Sequence, residues 1–421
     1  MVKIFIKRFL IIFFYVIFCT YSLEFLTYLF LKKEKNFAEK SFDQIKKEIF
    51  TKNKNFDQRS DYQAFYDENI KNNLQPSFKL SQNNISINDH QNKISNFLIN
   101  KIESGHKIPF RGPINSLSLG SNEAGIRKII YNDHLGFKNF NSNYNKKIDI
   151  IIVGDSFAEG LPFSNDHTVS GFINKKKIFN SLNFGFSGAG PLGSLGVIRE
   201  YVSIFTPKNT YYLYYEGNDL LDLFNEKKTF LVKYLEGNYS QNLYTSKKEI
   251  ETFLDEYNKL FFEILPIKIN QEKNNNKKIT LKEKKIFVEK LKDFLELQSL
   301  KEIFLDYIFS LNNEKNDYLL FEKTIKAMKK DISKWDGDFT IIYLPSFNRY
   351  NKNFSLKDIL KKRKILKIIE NNNIQSIDMD NIFTENNMDD NNLFNLGLYG
   401  HYVKEGYELI ANTIIRDINT N

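Results

Sequence analysis

Residues 148–153 read IDIIIV, a nearly unbroken β-branched run that stops at Gly154-Asp155-Ser156. A strand this apolar must be covered on both faces, which is the situation inside a parallel sheet flanked by helices. The same construction recurs along the chain. FNSLNFGF reads as a second short strand running into glycines, and NTYYLYYEGND as a third, Tyr211 to Tyr215, ending at a turn. DFTIIYLPS is a fourth, stopped by Pro345, and NIQSIDMD a fifth. Helical stretches lie between them, with SLKDILKKRKILKIIE before the fifth strand and KEGYELIANTII at the end. Strands alternating with helices predict a three-layer α/β/α fold around a parallel sheet.

This pattern divides the 421 residues into parts. Lys3, Lys7 and Arg8 precede FLIIFFYVIFCTYSL, and apolar residues resume after Glu24 as far as Leu31. At about 1.5 Å per residue, 9–31 is long enough to cross a hydrocarbon layer of about 30 Å. No small-residue cleavage signal follows, so residues 1–31 are expected to be an uncleaved signal anchor and transmembrane helix. Lys32, Lys33 and Lys35 put positive charge on the far side too, but large C-terminal domains are exported largely regardless of such charges, so an extracytoplasmic, periplasmic location is expected. Residues 32–105 are rich in Asn, Lys and Gln without a sustained apolar period, and read as a polar stalk; 106–145 lead into the main domain. Its core is expected in two halves, 146–223 and 336–421, separated by a helical insertion at 224–335. There Ser246/Glu249 and Thr280/Glu283 fit capping boxes, the first ahead of an apolar face of Ile250, Phe253, Leu254, Tyr257 and Phe261.

The formal net charge of +9 is spread through a Lys-, Asn- and Ile-rich chain with no basic-aromatic stripe, so no nucleic-acid partner is expected. Cys19 is the only cysteine and lies in the apolar N-terminal segment, which excludes an intramolecular disulfide and a Cys-based metal site. There is no His-x-x-x-His pair, and no metal or organic cofactor is expected.

Three strand ends carry unusual loops, and in open parallel sheets ligands collect at the carboxyl ends of strands. Ser156 follows the first strand and opens a helix, where backbone N–H groups favour negative charge on an oxygen. It is not a Gly-x-Ser-x-Gly elbow, because Ala158 stands at the last position. The second loop, NFGFSGAGPLGSLG, is dense in glycine and can present an N–H to an oxyanion or cradle a phosphate; no Lys-Ser/Thr follows as in a P-loop. The third, Glu216-Gly217-Asn218-Asp219, offers an amide donor or a simple turn. Among five histidines, His401 stands just before the last helix, where a loop can reach back to the first strand end.

In that order the blocks VGDSFAEG, LNFGFSGAG, YEGND and LYGHYVKEGY resemble the SGNH, or GDSL-type, esterase and acyltransferase superfamily. The resemblance covers 146–223 and 336–421 and implies a flavodoxin-like sheet. It implies Ser156 as nucleophile, His401 as general base, and an oxyanion hole of the Ser156 and Gly188 N–H groups with the Asn218 amide. The N-terminal anchor adds a likeness to membrane-tethered bacterial members that handle acyl groups on envelope polysaccharides, which implies an acylated carbohydrate as substrate. An O-acyltransferase, a lipase or thioesterase, and a non-catalytic glycan-binding protein are the other readings. One departure stands out. The family's aspartate three residues before the His is Leu398 here, leaving Asp378, Asp380, Asp389, Asp390 or a backbone carbonyl to orient His401.

Overall fold

The computed structural model describes residues 8, 11–27, 56–80, 93–275, 297, 316–350, 356–389, 392–395 and 400–420. They fall into two compact units, one of residues 1–51 and 270–316, the other of 52–269 and 317–421.

The second unit opens with a helix, Asp61–Asn72, capped by Ser60, whose side chain accepts from the Gln63 N–H. Strand β1 (Phe78–Lys79) then pairs antiparallel with β2 (Arg111–Gly112), and β3 (Ser116–Leu119) forms a hairpin with β4 (Ile129–Asn132). The main sheet follows. Its strands are β5 (Ile150–Gly154), β6 (Ser181–Asn183), β7 (Asn209–Tyr215), β8 (Asp338–Leu344) and β9 (Gln375–Asp378). They pair in the order β6-β5-β7-β8-β9, every pair parallel.

All five expected strands are therefore present in a doubly wound α/β sheet. Its connections reverse direction beside β5, which makes the carboxyl ends of β5, β6 and β7 the crevice of the fold. Alternation along β5 is what requires two covering layers. Ile151 and Val153 belong to the hydrophobic cluster on one face, Ile150 and Ile152 to that on the other. The terminal helix Lys404–Thr420 buries Tyr407, Ile410, Ala411 and Ile414 in the second cluster.

The stalk expected over 32–105 is corrected where it is described. Phe56, Phe65, Leu74, Phe78, Leu80 and Leu98 are buried, and residues from Lys52 onward belong to the same unit as the sheet. These apolar residues follow no single period because Phe65 sits on a helix, Phe78 on a two-residue strand and Leu98 on a second helix, Lys93–Glu103, while Phe56, Leu74 and Leu80 lie in the segments beside these elements. Phe78 packs edge-on against Phe253 and Tyr257, with ring centroids 5.2 and 5.1 Å apart. Both partners lie on the helix Lys247–Asn275, whose expected buried face of Ile250, Phe253, Leu254 and Tyr257 is present, with Phe261 half-buried. Ser246 and Glu249 turn to a different partner from the one a capping box supplies: both bond the Lys107 ammonium. Thr280 and Glu283 lie outside the described residues.

In the first unit, residues 11–27 are helical and mostly exposed. Among the described residues no helix is long and apolar enough to cross a membrane. Residues 9, 10 and 28–31 of the expected span lie outside the described set.

Replacing Phe78 with Ala should lower unfolding free energy by about 3–5 kcal/mol, the cost of emptying a buried aromatic site. Chemical denaturation measures it; a loss under about 0.5 kcal/mol, as for a surface site, would return β1 to the stalk.

Candidate active site

Asp155 is the N-cap of the helix Ser156–Glu159 that follows β5, its carboxylate accepting the Phe157 N–H at 2.8 Å. This starts a helix directly at the strand end and leaves the Ser156 hydroxyl at the carboxyl edge of the sheet. Burial pushes the Asp155 carboxyl up to about 6, against the Phe157 N–H and the His401 charge, which favour its ionised form.

His401 comes to this hydroxyl from the far end of the chain. Its Nε2 is 2.7 Å from Ser156 Oγ. The loop that carries it is fixed by the Val403 N–H donating to the Leu393 carbonyl and by Asn395 donating to the His401 and Tyr402 carbonyls. Tyr402 reaches the carboxyl end of β8, its hydroxyl donating to the Pro345 carbonyl. The Phe157 ring lies 4.6 Å from the imidazole and stacks on Tyr215 behind it.

The group on the other side of the imidazole is none of those anticipated. Glu123 Oε2 lies 2.5 Å from His401 Nδ1 and also accepts the His401 backbone N–H at 3.2 Å. Asp378 and Asp380 are engaged elsewhere: both pair with Lys362 at 2.7 Å, and Asp378 caps the helix Met379–Glu385. Asp389 is exposed, and Asp390 and Leu398 lie outside the described residues.

Glu123 sits in the connection of the β3–β4 hairpin, which two contacts fasten to the segment before the first helix. Asn122 donates its amide to the Asp57 carbonyl at 2.8 Å, and the Asp57 N–H donates to the Gly125 carbonyl at 2.7 Å. Gly400 makes room for the carboxylate. Its φ is +148°, and a Cβ there would stand 3.2 Å from Glu123 Oε2. The sequence signal for Glu123 was slight: one acid in a short Ser-, Asn- and Gly-bearing turn between two apolar runs, more than two hundred residues from the histidine it serves.

Electrostatics match the geometry. Burial alone would lower the His401 pKa, but the Glu123 charge and hydrogen bond outweigh it and hold the imidazole above its ordinary 6.5. Burial likewise favours protonated Glu123, and His401 overrides it to keep that carboxyl below its ordinary 4.5. A hydroxyl, an imidazole with an accepting nitrogen and an ionised carboxylate in line can move a proton off Ser156 and stabilise the resulting cation.

Two buried carboxylates shape the neighbouring loop. Glu159, at the end of the Ser156 helix, accepts the Ser187 N–H at 2.7 Å and its hydroxyl at 2.5 Å. Next in the chain, Gly188 adopts a φ of +81°. Beyond it, Glu226 accepts three backbone N–H groups, from Gly190, Leu192 and Gly193, at 2.7, 2.9 and 3.0 Å. Glu226 belongs to the helix Asp219–Glu226 that Asn218 caps, so the second and third loops are tied to each other. Asn218 itself is occupied: its amide donates to Asp222 at 2.8 Å.

No family model matches the chain, and no curated protein matches it. Solved structures do. A member of the lipolytic G-D-S-L family from Veillonella parvula is 12% identical, with 64% of this chain and 97% of that one covered and a TM-score of 0.34. An acetylxylan esterase from Geobacillus stearothermophilus is 11% identical, with 65% and 96% covered and a TM-score of 0.34. At such scores the likeness decides nothing about chemistry, which rests on the contacts above.

Burial lifts the Glu226 carboxyl to about 8, against its three N–H donors. A folded-state pKa above the ordinary 4.5 means the folded protein holds this proton where the unfolded chain has released it, so stability falls as pH rises from about 4.5 to about 8. Asp155 contributes in the same direction at lower pH. Glu226→Gln should therefore lose less Tm than the wild type between pH 5 and pH 8 in calorimetry; parallel curves would contradict the assignment.

Proposed function

We propose that the protein is a serine esterase that removes ester-linked acyl groups, with Ser156 as nucleophile, His401 as general base and Glu123 as the acid that orients it. The observation that carries this reading is the unbroken line from Ser156 Oγ through His401 to the Glu123 carboxylate, with contacts of 2.7 and 2.5 Å.

His401 Nε2 takes the Ser156 proton as Oγ attacks the ester carbonyl, and Glu123 stabilises the imidazolium formed. The N–H groups of Ser156 and Gly188 receive the oxyanion, joined by the Asn218 amide once it turns from Asp222. The imidazolium then protonates the departing alcohol. Water, activated by the same imidazole, frees the acyl group in a second tetrahedral step. A sugar hydroxyl in place of that water would make the enzyme an O-acyltransferase. The favoured substrate is an O-acetylated carbohydrate of the cell envelope. Residues 9–31 are proposed to tether the domain to the membrane from the extracytoplasmic side, and protease access in intact cells tests that placement.

The direct test is hydrolysis of a small activated acetyl ester. Ser156→Ala and His401→Ala should each reduce kcat to background, and turnover unaffected by both would refute the reading. Glu123→Gln should cost up to about 10⁴ in kcat, the loss seen when the orienting carboxylate of a triad is neutralised. The pH profile gives a second readout. Neutral His401 is the active form, so kcat/KM should rise with pH through a midpoint above 6.5, and Glu123→Gln should move that midpoint down. An unmoved midpoint would leave Glu123 without influence on the base. Asn218→Ala should lower kcat by about 10² with little change in KM if the amide serves the oxyanion. A change under about threefold would confine Asn218 to bracing Asp222.

A further inference from the structure

A cleft of about 580 Å³ opens beside Gly188 and Ser187, within the size range of small-ligand sites. Its walls come from outside the α/β core. Tyr62 and Phe65 of the first helix and Tyr257 and Phe261 of the helix Lys247–Asn275 form an aromatic side. Phe261 stands 5.1 Å from Phe65, 6.2 Å from Tyr62 and 6.4 Å from Tyr257, so the rings make one continuous surface. Such rings offer an apolar face with polar tips, suited to the C–H faces of a sugar.

The opposite side carries Lys79, Arg127 and Ser121. Arg127 pairs with Asp61 at the rim, 2.6 Å away, and with Asp57 behind it, so it braces this wall and its charge is already balanced. Arg127 Nε and Ser121 Oγ are buried behind that wall, and the rest of the Arg127 guanidinium is taken by Asp61 and by the Gly120 and Arg59 carbonyls. Lys79 supplies the charge. Its ammonium is 3.1 Å from Glu159, which also holds Arg111 at 2.6 Å. Lys138 is buried close to the same carboxylate, its ammonium donating to the Gly160 carbonyl at 2.7 Å. Three basic side chains thus gather on Glu159, while Glu123 faces His401 and Asp61, the carboxylate on the rim of the cleft, is paired with Arg127. Burial lowers both Lys79 and Lys138, the latter to about 7, as expected for cations crowded out of water. Of the three, Lys79 is the one open to the cleft, with 21% of its side chain exposed.

We infer that this cleft binds a sugar unit carrying a carboxylate, so that the acylated carbohydrate is an acidic glycan. This rests on the esterase reading for its role, though the binding itself does not. The carboxylate meets the Lys79 ammonium, while the sugar ring lies against Tyr257 and Phe261.

Calorimetric titration of the full-length Ser156→Ala protein, which cannot turn over, tests it with tetragalacturonate and with the same tetrasaccharide after its carboxyls are reduced to alcohols. The acidic form should bind about tenfold more tightly or better, with an advantage that shrinks as salt rises. Lys79→Met should remove most of that advantage and leave the reduced form's affinity within about twofold, since only the acidic form gains a charge-assisted bond there. Equal binding of both forms by the Ser156→Ala protein would overturn the inference without any need for a folded Lys79 variant. Absence of binding by either form would overturn it too. If wild-type hydrolysis of a small acetyl ester still depended on Ser156 and His401, the esterase reading would stand while the acidic-glycan inference fell.

Discussion

The His401 imidazole is held between a hydroxyl and a carboxylate supplied by three separate regions of the chain, and the surrounding structure is arranged around that contact. Ser156 arrives at the end of the strand beside the sheet's reversal, and His401 on a loop locked by Leu393 and Asn395. Glu123 hangs from a hairpin that belongs to neither half of the sheet. A carboxylate facing an imidazole keeps both charged partners favoured despite burial, which is why Glu123 lies below and His401 above its ordinary pKa. Removing one partner leaves the other desolvated and uncompensated.

A second layer of buried carboxylates organises the backbone around this line. Glu159 ties the Ser156 helix to Ser187, and Glu226 ties the glycine loop to the helix behind Asn218. Each satisfies N–H groups at a loop or helix start, where no intrahelical partner exists. The two loops that flank Ser156 are thus positioned by side chains from other elements, which leaves the glycines free to present backbone close to the site. Glu159 has a further part: by drawing Lys79 and Arg111 to itself it brings positive charge to the wall of the cleft.

Much of this was legible in the sequence because the signals were local. The strands β5, β7 and β8 read as apolar runs, since burial on both faces leaves little room for polar alternation, whereas the edge strand β9, Gln375–Asp378, is polar and partly exposed and was marked by its place after a helix. Ser156, the glycine loop, Asn218 and His401 stood at strand ends or beside the last helix, where short motifs mark them. Glu123 was not legible, because its function depends on a contact across 278 positions that no local pattern records. Leu398 marks the missing acid, but the local candidates to replace it are aspartates nearby in sequence. The packed character of residues 56–80 and 93–105 was hidden for a related reason. Their apolar residues serve successive short elements and show no common period, and much of their polarity faces solvent around a few fully buried aromatic side chains.

The most direct measurement of the central claim is the intact mass of the protein, with peptide mapping, after exposure to a fluorophosphonate, which traps an activated serine as a stable tetrahedral ester. The account predicts a single adduct on Ser156, formed rapidly in the wild type and much more slowly when Glu123 is replaced by Gln or His401 by Ala. An unmodified Ser156 in the wild type, or labelling at the same rate in all three proteins, would mean that the Ser156–His401–Glu123 line does not activate the hydroxyl.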